Sequence, residues 1–384
     1  MPDFNILRFR PVTNLVICAV FVITLSVPLV FQIFGIRFNI AMADKRKKTE
    51  LPAFLKTNNT MSFRSVALFI DNFNSYYSDN FGLRELMIKF YLTFKINLLH
   101  TNPFPEKFVF GTEDWIFLSD SYFNAITETK GIKNFSGQEL DEITKNIVTC
   151  EDYFELKKIK FFLAIAPEKS TVYGQKLPIK KSGRPTKLEQ VKKRLSAIGF
   201  NLIDLKDDFN KNQNLPLYYK TDSHWNQIGV YYGYLTLMKA IGASYPMLKI
   251  HQFKDFSIDS SDHTYTGDMA KQLSLKPMEC KYVLTPLFEK ESIELPKRMK
   301  VPVLFSHDPK SYERRFENKN GKLKILIFRD SFFQVTYKFV AESFHETVFI
   351  WSIWKKDVIE QEKPDIVVFE LAERTIDNLL YPLN

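Results

Sequence analysis

The chain has 384 residues, of which 45% are hydrophobic and 15% aromatic, so it can bury a sizeable core as one large domain or two small ones. Its formal net charge of +9 is modest for this length and accompanies no nucleic-acid motif, which argues against a nucleic-acid partner. The three cysteines, Cys18, Cys150 and Cys280, are too few for a disulfide scaffold and lack metal-ligand spacing. The sequence leaves open whether Cys150 and Cys280 pair.

The N-terminal region contains an uncharged apolar segment, Leu15–Phe34. At about 1.5 Å per residue, a helix of this length is long enough to cross a bilayer. We therefore expect a short tail over residues 1–14, a transmembrane anchor over 15–36 and a basic juxtamembrane linker over 37–63. This anchor would attach the protein to a membrane as a single-pass protein.

Two features of this region leave alternatives open. Ala41-Met42-Ala43 resembles a signal-peptide cleavage site, although the apolar segment is longer than a usual signal core. Arg8 and Arg10 precede the span, whereas Lys45-Arg46-Lys47-Lys48 follow it. By the positive-inside rule, the cluster after the span favours a cytoplasmic C-terminal domain.

Residues 64–384 are expected to form one α/β domain, because short apolar runs alternate with segments of helical periodicity. The runs are apolar on both faces, which indicates a mostly parallel sheet covered on both sides. The expected strands are Phe161–Ala166, Asn201–Leu205, Lys324–Phe328, Thr347–Trp351 and Asp365–Phe369. Expected helices and turns include Arg64–Leu99 broken at Asp79–Arg84, a hairpin over Phe108–Leu118, Ser136–Leu156 with a capping box, Lys187–Ile198, and Gln227–Ile241 ended by Gly242.

Ser331 follows one of these strands and precedes a segment, Phe332 to about Phe344, that is expected to be a helix. A serine at such a turn is held by the sheet, and free N–H groups at the helix start can stabilise an oxyanion. The position therefore suits the nucleophile of a serine hydrolase or acyltransferase. The alternative is that Asp330-Ser331 is only a helix cap, with Asp330 as the capping member.

The segment Asp222-Ser223-His224-Trp225 offers the other groups that such a serine needs. If the segment is extended, Asp222 and His224 share a face, and the carboxylate can orient the imidazole as a base for Ser331. The alternative is an aspartate that caps the following helix beside a half-buried histidine. The combination with Ser331 favours an acyl-transfer enzyme.

From about residue 64 to its end, the chain resembles the SGNH-hydrolase-like domain of the alginate O-acetyltransferases, the AlgX/AlgJ group. The resemblance depends on several short motifs in a specific order. They are Asp79–Arg84, Gly111–Phe117, Ala166–Lys169 with Tyr173 and Pro178, the DSHW segment at 222–225, Gly267-Asp268, RDSF at 329–332, and Pro364–Arg374.

The resemblance implies an SGNH-type three-layer sandwich with Ser331 as nucleophile, His224 as base and Asp222 as its orienter. It also implies transfer of acetyl groups to hydroxyls of an extracytoplasmic polysaccharide, with a membrane-bound O-acyltransferase supplying the acetyl donor. The resemblance then implies an anchor in the inner membrane with the catalytic domain in the periplasm, against the charge pattern after the span. No cofactor or metal is expected. Further residues expected to support the site are Trp225, Lys169, Tyr173, Arg329, Asp330, Glu373 and Arg374.

Two other functions remain compatible with these residues. An esterase would use the same three groups with water as the acceptor and remove acetyl groups from a carbohydrate. A non-catalytic domain would act as a scaffold in a polysaccharide-secretion complex. The polysaccharide itself cannot be read from the sequence.

Overall fold

The computed structural model describes residues 11–34, 49–52, 63–206, 208–209, 212 and 214–383. The first ten residues, most of the expected linker, the Ala41-Met42-Ala43 motif and the basic residues flanking the apolar segment lie outside the described residues. The chain divides into two units, one formed by residues 1–103 with 271–275 and the other by 104–270 with 276–384.

The first unit is helical over most of its described length. Its elements are α1 (Pro11–Ile33), α2 (Phe63–Asn80), α3 (Arg84–Thr93) and a π-helix over Phe94–Leu98. The expected break between α2 and α3 is confirmed, and Asn80 at the end of α2 donates to the carbonyl of Thr49 at 2.9 Å. Over the described residues, no helix combines the length and the apolar character required to cross a bilayer. The anchor expected over 15–36 is therefore not found, although α1 overlaps that segment.

The second unit is built on a seven-stranded sheet flanked by helices. Its strands are β1 (Phe108–Phe110), β2 (Ile116–Leu118), β3 (Lys160–Ala166), β4 (Ile203–Asp204), β5 (Phe256–Tyr265), β6 (Glu279–Pro286), β7 (Ile293–Leu295), β8 (Glu313–Glu317), β9 (Lys322–Arg329), β10 (Phe344–Trp351) and β11 (Ile366–Ala372). The helices after residue 103 include α4 (Ala125–Thr129), α5 (Gly137–Leu156), α6 (Lys169–Val172), α7 (Lys187–Ser196), α8 (Gln227–Ser244), α9 (Asp268–Gln272), α10 (Pro309–Tyr312), α11 (Tyr337–Val340) and α12 (Lys356–Glu362).

The sheet is mixed rather than mostly parallel. Its strand order is β4-β3-β11-β9-β10-β8-β7, in which the first five strands are parallel and the last two pair antiparallel. The antiparallel edge includes β8, in which Glu313–Glu317 carries four charged residues among its five. Arg315 of this edge is buried against Glu313 and Glu362, so charge pairing replaces the apolar pattern there.

Alternate residues of the central strands enter two separate cores, one on each face of the sheet. In β9, Ile325 and Ile327 pack with α8, whereas Leu326 and Phe328 pack with α5, α7 and α12. All four side chains are fully buried. This burial on both faces explains their continuous apolar sequence and confirms an α/β arrangement of helix, sheet and helix layers.

Several local predictions are confirmed and two are wrong. The β1–β2 hairpin forms as expected, and Ser136 with Glu139 makes a full capping box at the start of α5. Gly242 does not end α8, which continues to Ser244. The expected strand over Asn201–Leu205 is reduced to the two residues of β4. No disulfide joins Cys150 to Cys280 in the described chain, and Cys150 is buried.

Candidate active site

The residues singled out in the sequence meet at the carboxyl ends of the parallel strands. Strands β3, β11 and β9 are neighbours and run parallel, so their carboxyl ends lie side by side. Lys169 follows β3, Arg374 follows β11 and Ser331 follows β9. Open α/β sheets form their ligand sites outside the carboxyl ends of the strands, which is where these distant parts of the chain converge.

Ser331, His224 and Asp222 form one hydrogen-bonded chain. His224 Nε2 lies 2.9 Å from Ser331 Oγ, and His224 Nδ1 lies 2.9 Å from Asp222 Oδ1. With these partners, the neutral imidazole carries its proton on Nδ1 and donates it to Asp222, so Nε2 accepts the Ser331 hydroxyl hydrogen. This is the hydrogen-bond order of a serine, a base and an orienting carboxylate.

The segment that carries Asp222 and His224 is bent rather than extended. Asp222 Oδ1 also accepts the main-chain N–H of His224 at 3.0 Å, which closes a local turn. The two side chains therefore meet through this turn and not through a shared face of a strand. Asn226 then begins α8, since its side chain accepts the N–H groups of Ile228 and Gly229.

The pKa values of Asp222 and His224 move in opposite directions. Burial raises the pKa of Asp222, but hydrogen bonds from His224 and Tyr265 and the charge of His224 outweigh it and hold that pKa well below its usual range. Burial lowers the pKa of His224, but the hydrogen bond to Asp222 and its charge, with that of Asp268, raise it above the usual value. The pair therefore favours a charged carboxylate beside an imidazole that is more basic than usual.

Asp330 holds the turn that presents Ser331. Its Oδ1 accepts the main-chain N–H of Phe332 at 2.8 Å, and its Oδ2 accepts that of Ala372 at 2.7 Å. Within the described chain, the main-chain N–H of Ser331 makes no hydrogen bond. That N–H is therefore available to an oxyanion beside Ser331 Oγ, whereas the N–H of Phe332 is not.

The long helix expected after Ser331 is wrong. A 3-10 turn covers Phe332–Val335, α11 covers only Tyr337–Val340, and β10 begins at Phe344. Phe332, Phe333 and other apolar residues of this segment enter the core, which favours a compact turn over a longer helix. Any oxyanion stabilisation must come from individual N–H groups and not from the dipole of a long helix.

Arg329 contacts the main chain of this turn, and no hydrogen bond joins it to Ser331 Oγ among the described residues. Its guanidinium donates to the carbonyl oxygens of Asp330 at 2.9 Å and Ser311 at 2.7 Å. Burial lowers the pKa of Arg329 to about 10. Arg329 therefore supports the backbone of the turn through main-chain carbonyls.

Lys169 fixes the loop that leads to Asp222. Its buried ammonium donates to the carbonyl oxygens of Tyr219 at 3.2 Å, Lys220 at 2.9 Å and Asp222 at 2.6 Å. An ammonium has three hydrogen-bond donors, so all of them are used here. Burial lowers the pKa of Lys169 to about 8.

Tyr173 and Trp225 support neighbouring backbone. Tyr173 Oη accepts the N–H of Leu217 at 3.1 Å, and its ring stacks on Trp115 at 4.3 Å. Trp225 Nε1 donates to the carbonyl of Phe332 at 2.8 Å, which ties the loop of His224 to the turn after Ser331.

Glu373 and Arg374 contact Glu168 at the end of β3. Arg374 Nη1 donates to Glu168 Oε1 at 2.9 Å, and its guanidinium lies 4.9 Å from the centre of the Phe332 ring. Glu373 accepts the main-chain N–H of Glu168 at 2.9 Å. Burial raises the pKa of Glu373 to about 7. These contacts form a buried bridge between the ends of β3 and β11.

Two residues that were not selected from the sequence complete the surroundings of Asp222. Tyr265 donates its phenol hydrogen to Asp222 Oδ2 at 2.7 Å, and Asp268 donates its main-chain N–H to the same oxygen at 2.9 Å. The Asp268 carboxylate accepts the N–H of Ser223 at 2.8 Å and lies 3.7 Å from His224 Nδ1. Both residues come from the region of the β5–β6 hairpin.

Gly267 permits the close approach that these contacts require. A Cβ at this position would lie 2.1 Å from the carbonyl oxygen of Thr221, so no larger residue fits without a shift of the backbone. Glu279 on β6 adds a further contact, because it accepts the N–H of Thr221 at 2.9 Å. The Gly267-Asp268 pair was already a mark of the family resemblance, and it is the signal that could have identified Asp268.

Asp222, His224 and Asp268 also bring potential metal ligands within 4.8 Å of one another. The two carboxylate oxygens of Asp222 already accept four hydrogen bonds, two from His224, one from Tyr265 and one from Asp268. His224 Nδ1 is likewise engaged. The Asp222 oxygens and His224 Nδ1, which would bind a metal ion, are thus already engaged by protein groups. This fits a proton-transfer arrangement better than a metal centre.

A cavity of about 260 Å³ opens beside Ser331 Oγ. It is lined by Tyr219, Asp222, His224, Trp225, Asn226, Gln227, Tyr265, Ser331, Phe332, Gln334 and Val335. A cavity of this volume suits a small organic group or a single sugar ring. A substrate bound there would reach the serine and the imidazole together.

The α/β sheet and the Asp–His–Ser arrangement at its carboxyl edge are those of an SGNH hydrolase-like protein. A sequence profile described as the SGNH hydrolase-like domain of the acetyltransferase AlgX matches residues 108–306, which is more than half of the chain. The chain therefore belongs to this acetyltransferase family, and the resemblance recognised from the motifs is confirmed. The matched range includes Asp222 and His224 and ends before Ser331.

Solved structures with a similar fold include Bacillus cereus PatB1 with a sulfonyl adduct, at 17% identity and a TM-score of 0.52 over 71% of this chain and 96% of that one. The O-acetyltransferase domain of Pseudomonas putida AlgJ aligns at 16% identity and a TM-score of 0.44, over 72% of this chain and 94% of that one. Pseudomonas aeruginosa AlgX aligns at 17% identity and a TM-score of 0.42, over 70% and 62%. No curated protein matches the chain.

Proposed function

We propose that this protein is an O-acetyltransferase that moves acetyl groups onto hydroxyls of a polysaccharide through an acetyl-Ser331 intermediate. The observation that carries the proposal is the hydrogen-bonded chain from Ser331 Oγ through His224 to Asp222, with both distances at 2.9 Å. The chain's membership of an acetyltransferase family supports acetyl as the transferred group.

In the first half-reaction, Ser331 Oγ attacks the carbonyl carbon of an acetyl ester. His224 Nε2 accepts the serine proton as the new C–O bond forms, and then gives it to the departing alcohol. The negative charge on the tetrahedral intermediate is stabilised by the main-chain N–H of Ser331. Asp222 keeps Nε2 free to accept a proton and stabilises the charged imidazole.

In the second half-reaction, a sugar hydroxyl attacks the acetyl-Ser331 carbonyl. His224 removes the hydroxyl proton, the acetyl group bonds to the sugar oxygen, and the proton returns to Ser331 Oγ. No electron transfer occurs, and each half-reaction exchanges one acyl–oxygen bond for another. The acceptor must therefore enter the same cavity that the donor alcohol leaves.

The acceptor and the partner follow from the family and not from the site. We propose that the acceptor is an extracytoplasmic polysaccharide, that a membrane-bound O-acyltransferase supplies the acetyl donor, and that the domain works in the periplasm. Alginate is the acceptor suggested by the names of the AlgX and AlgJ relatives.

Transfer to an oligosaccharide and hydrolysis by water, measured with an acetyl ester donor, test the proposal. The wild type should acetylate the oligosaccharide, and Ser331→Ala should abolish both reactions. If the acetyl group is still transferred only to water when the oligosaccharide is present, the protein is an esterase instead. An inactive wild type whose Ser331 fails to react with a serine-directed probe would favour a scaffold.

A further inference from the structure

The cavity beside Ser331 combines an aromatic wall with neutral amide groups. Tyr219 and Tyr265 stack with their ring centres 3.8 Å apart and line it together with Trp225. Aromatic rings suit the apolar C–H face of a sugar ring, and the amide side chains that also line the cavity can bond its hydroxyls. The walls therefore resemble a carbohydrate subsite.

Two glutamines supply the unused amide groups. Gln227 Oε1 accepts the N–H of Leu284 at 3.0 Å, which holds the side chain in place and leaves its Nε2 hydrogens without a partner among the described residues. Gln334 is exposed, and its side chain makes no hydrogen bond within the same part of the chain, whereas its main-chain N–H donates to the carbonyl of Ser331 at 3.2 Å. It lies three residues after Ser331, and residues three apart in a 3-10 turn lie on the same face.

Asn226 lines the same cavity but is not available to a ligand. Its side-chain oxygen caps α8, and its nitrogen donates to the carbonyl of Pro216 at 2.6 Å. The free amides that face a ligand are thus those of Gln227 and Gln334, one before and one after the reacting groups in the chain.

The charge of the cavity is negative or neutral. Among the described residues that line it, none is a lysine or an arginine, and the charged groups are Asp222 and, when protonated, His224. The nearby Arg374 is committed to Glu168, and the Lys169 ammonium is committed to three main-chain carbonyls. A sugar carboxylate in this cavity would meet the Asp222 carboxylate without a cation to pair with it.

We propose that this cavity is an acceptor subsite for a neutral sugar residue, with Gln227 and Gln334 binding its hydroxyls, and that it discriminates against uronates. The inference rests on the proposed acetyl transfer and deepens it by giving the class of acceptor. It departs from the anionic alginate acceptor that the names of the relatives suggest.

The test measures how fast oligosaccharides discharge acetyl-Ser331 that has been formed with 4-nitrophenyl acetate. An oligouronate and its methyl ester carry the same free hydroxyls and differ in charge, so they form a matched pair beside a neutral hexose oligosaccharide. The neutral compounds should discharge the adduct with a kcat/KM roughly two- to fivefold above that of the uronate, since the charge repulsion is the interaction that distinguishes them.

Variants identify the residues responsible. Gln227→Glu keeps the oxygen that accepts the N–H of Leu284 but loses the amide donor, and Gln334→Ala loses the other amide. Each single variant should raise the KM for the neutral acceptor roughly two- to tenfold. Gln334→Lys should shift preference toward the uronate by roughly two- to fivefold, because an exposed cation can then pair with it. Gln361→Ala, at an exposed glutamine of α12 away from the cavity, should change neither value.

The outcomes separate this inference from the proposed function. Absence of acetyl-Ser331 would reject the acetyl-transfer mechanism itself. The neutral subsite alone would be overturned by either of two results with a normally formed adduct. In one, the uronate discharges acetyl-Ser331 as fast as the neutral oligosaccharides or faster. In the other, no neutral oligosaccharide discharges it. A loss of adduct formation in Gln334→Ala as large as its loss of acceptor affinity would place Gln334 at the oxyanion instead.

Discussion

The side-chain nitrogen of Lys169 lies 2.6 Å from the main-chain oxygen of Asp222, so a residue at the end of β3 sets the position of the loop that carries His224. The same ammonium contacts two preceding carbonyls of that loop. The hydrogen bond of 2.9 Å between His224 and Ser331 depends on such placement, and in the proposed mechanism small displacements of these groups are costly.

Lys169→Met should therefore lower the rate of acetyl-Ser331 formation by roughly 10²-fold, the loss typical of a misplacement of about 1 Å. It should also destabilise the fold by about 1–3 kcal/mol, since buried carbonyls lose their donors. Stopped-flow kinetics and urea unfolding measure the two effects. Lys176→Met, which removes a lysine paired with the exposed Glu113, is the control. Equal effects of the two variants on the rate would contradict a positioning role for Lys169.

The raised pKa of His224 predicts the pH dependence of the first half-reaction. His224 acts as a base only when it is neutral, so the rate should rise with pH and level off above a pKa higher than the ordinary 6.5. Asp222→Asn removes the charge that raises this pKa, so the rising limb should move to lower pH while the plateau falls by roughly 10⁴-fold. Rates of adduct formation from pH 5 to 9, as an approximate working range, measure both. An unmoved limb would show that Asp222 does not set the His224 pKa.

Asp268 lies farther from the imidazole than Asp222 and should have a smaller influence. Its carboxylate holds Ser223 and lies 3.7 Å from His224 Nδ1. Asp268→Asn should lower the rate roughly tenfold, through lost charge and a loosened loop, and should move the rising limb of the pH profile in the same direction as Asp222→Asn. Asp259→Asn, at an exposed carboxylate on the same hairpin, is the matched control. A rate loss without any movement of the limb would indicate a purely structural Asp268.

The buried Glu373 should make stability depend on pH. Its pKa is about 7 in the folded protein against 4.5 when unperturbed, so the folded state binds the extra proton between these values. The stability from this proton is complete below about pH 4.5 and is lost as pH rises through 7. Glu373→Gln does not titrate, so the wild type should lose about 1–3 kcal/mol relative to the variant between pH 5 and 8. Urea unfolding at both pH values measures the difference, and a constant difference would disprove the raised pKa.

The sequence predicted the parts of the site whose signals are local. Ser331 was recognisable because a buried strand ends beside it, and the spacing of Asp222 and His224 was visible as a short motif. The lengths of helices were less predictable, since Phe332–Phe344 has apolar residues that suit either a helix or a compact buried turn. Packing of that segment against the core favours the compact turn. This packing involves residues far away in the chain, so the local sequence does not show it.

Tyr265 and Asp268 were not predictable from periodicity for a related reason. They act because β5 pairs with β6 about twenty residues later, and because Gly267 allows the backbone to approach Thr221. The antiparallel edge of the sheet was missed because β8 is stabilised by buried charge pairs around Arg315 and not by an apolar run. Both cases depend on contacts between segments that carry no strong pattern alone.

The most direct test of the central claim is to follow the acetyl group on Ser331 itself. The protein is mixed briefly with 4-nitrophenyl acetate, digested and analysed by mass spectrometry, with and without an oligosaccharide acceptor. The account predicts one acetylated peptide that contains Ser331, its absence in Ser331→Ala, and its faster loss when the acceptor is present. Acetylation at another residue, or an adduct that forms equally well in Ser331→Ala, would contradict it.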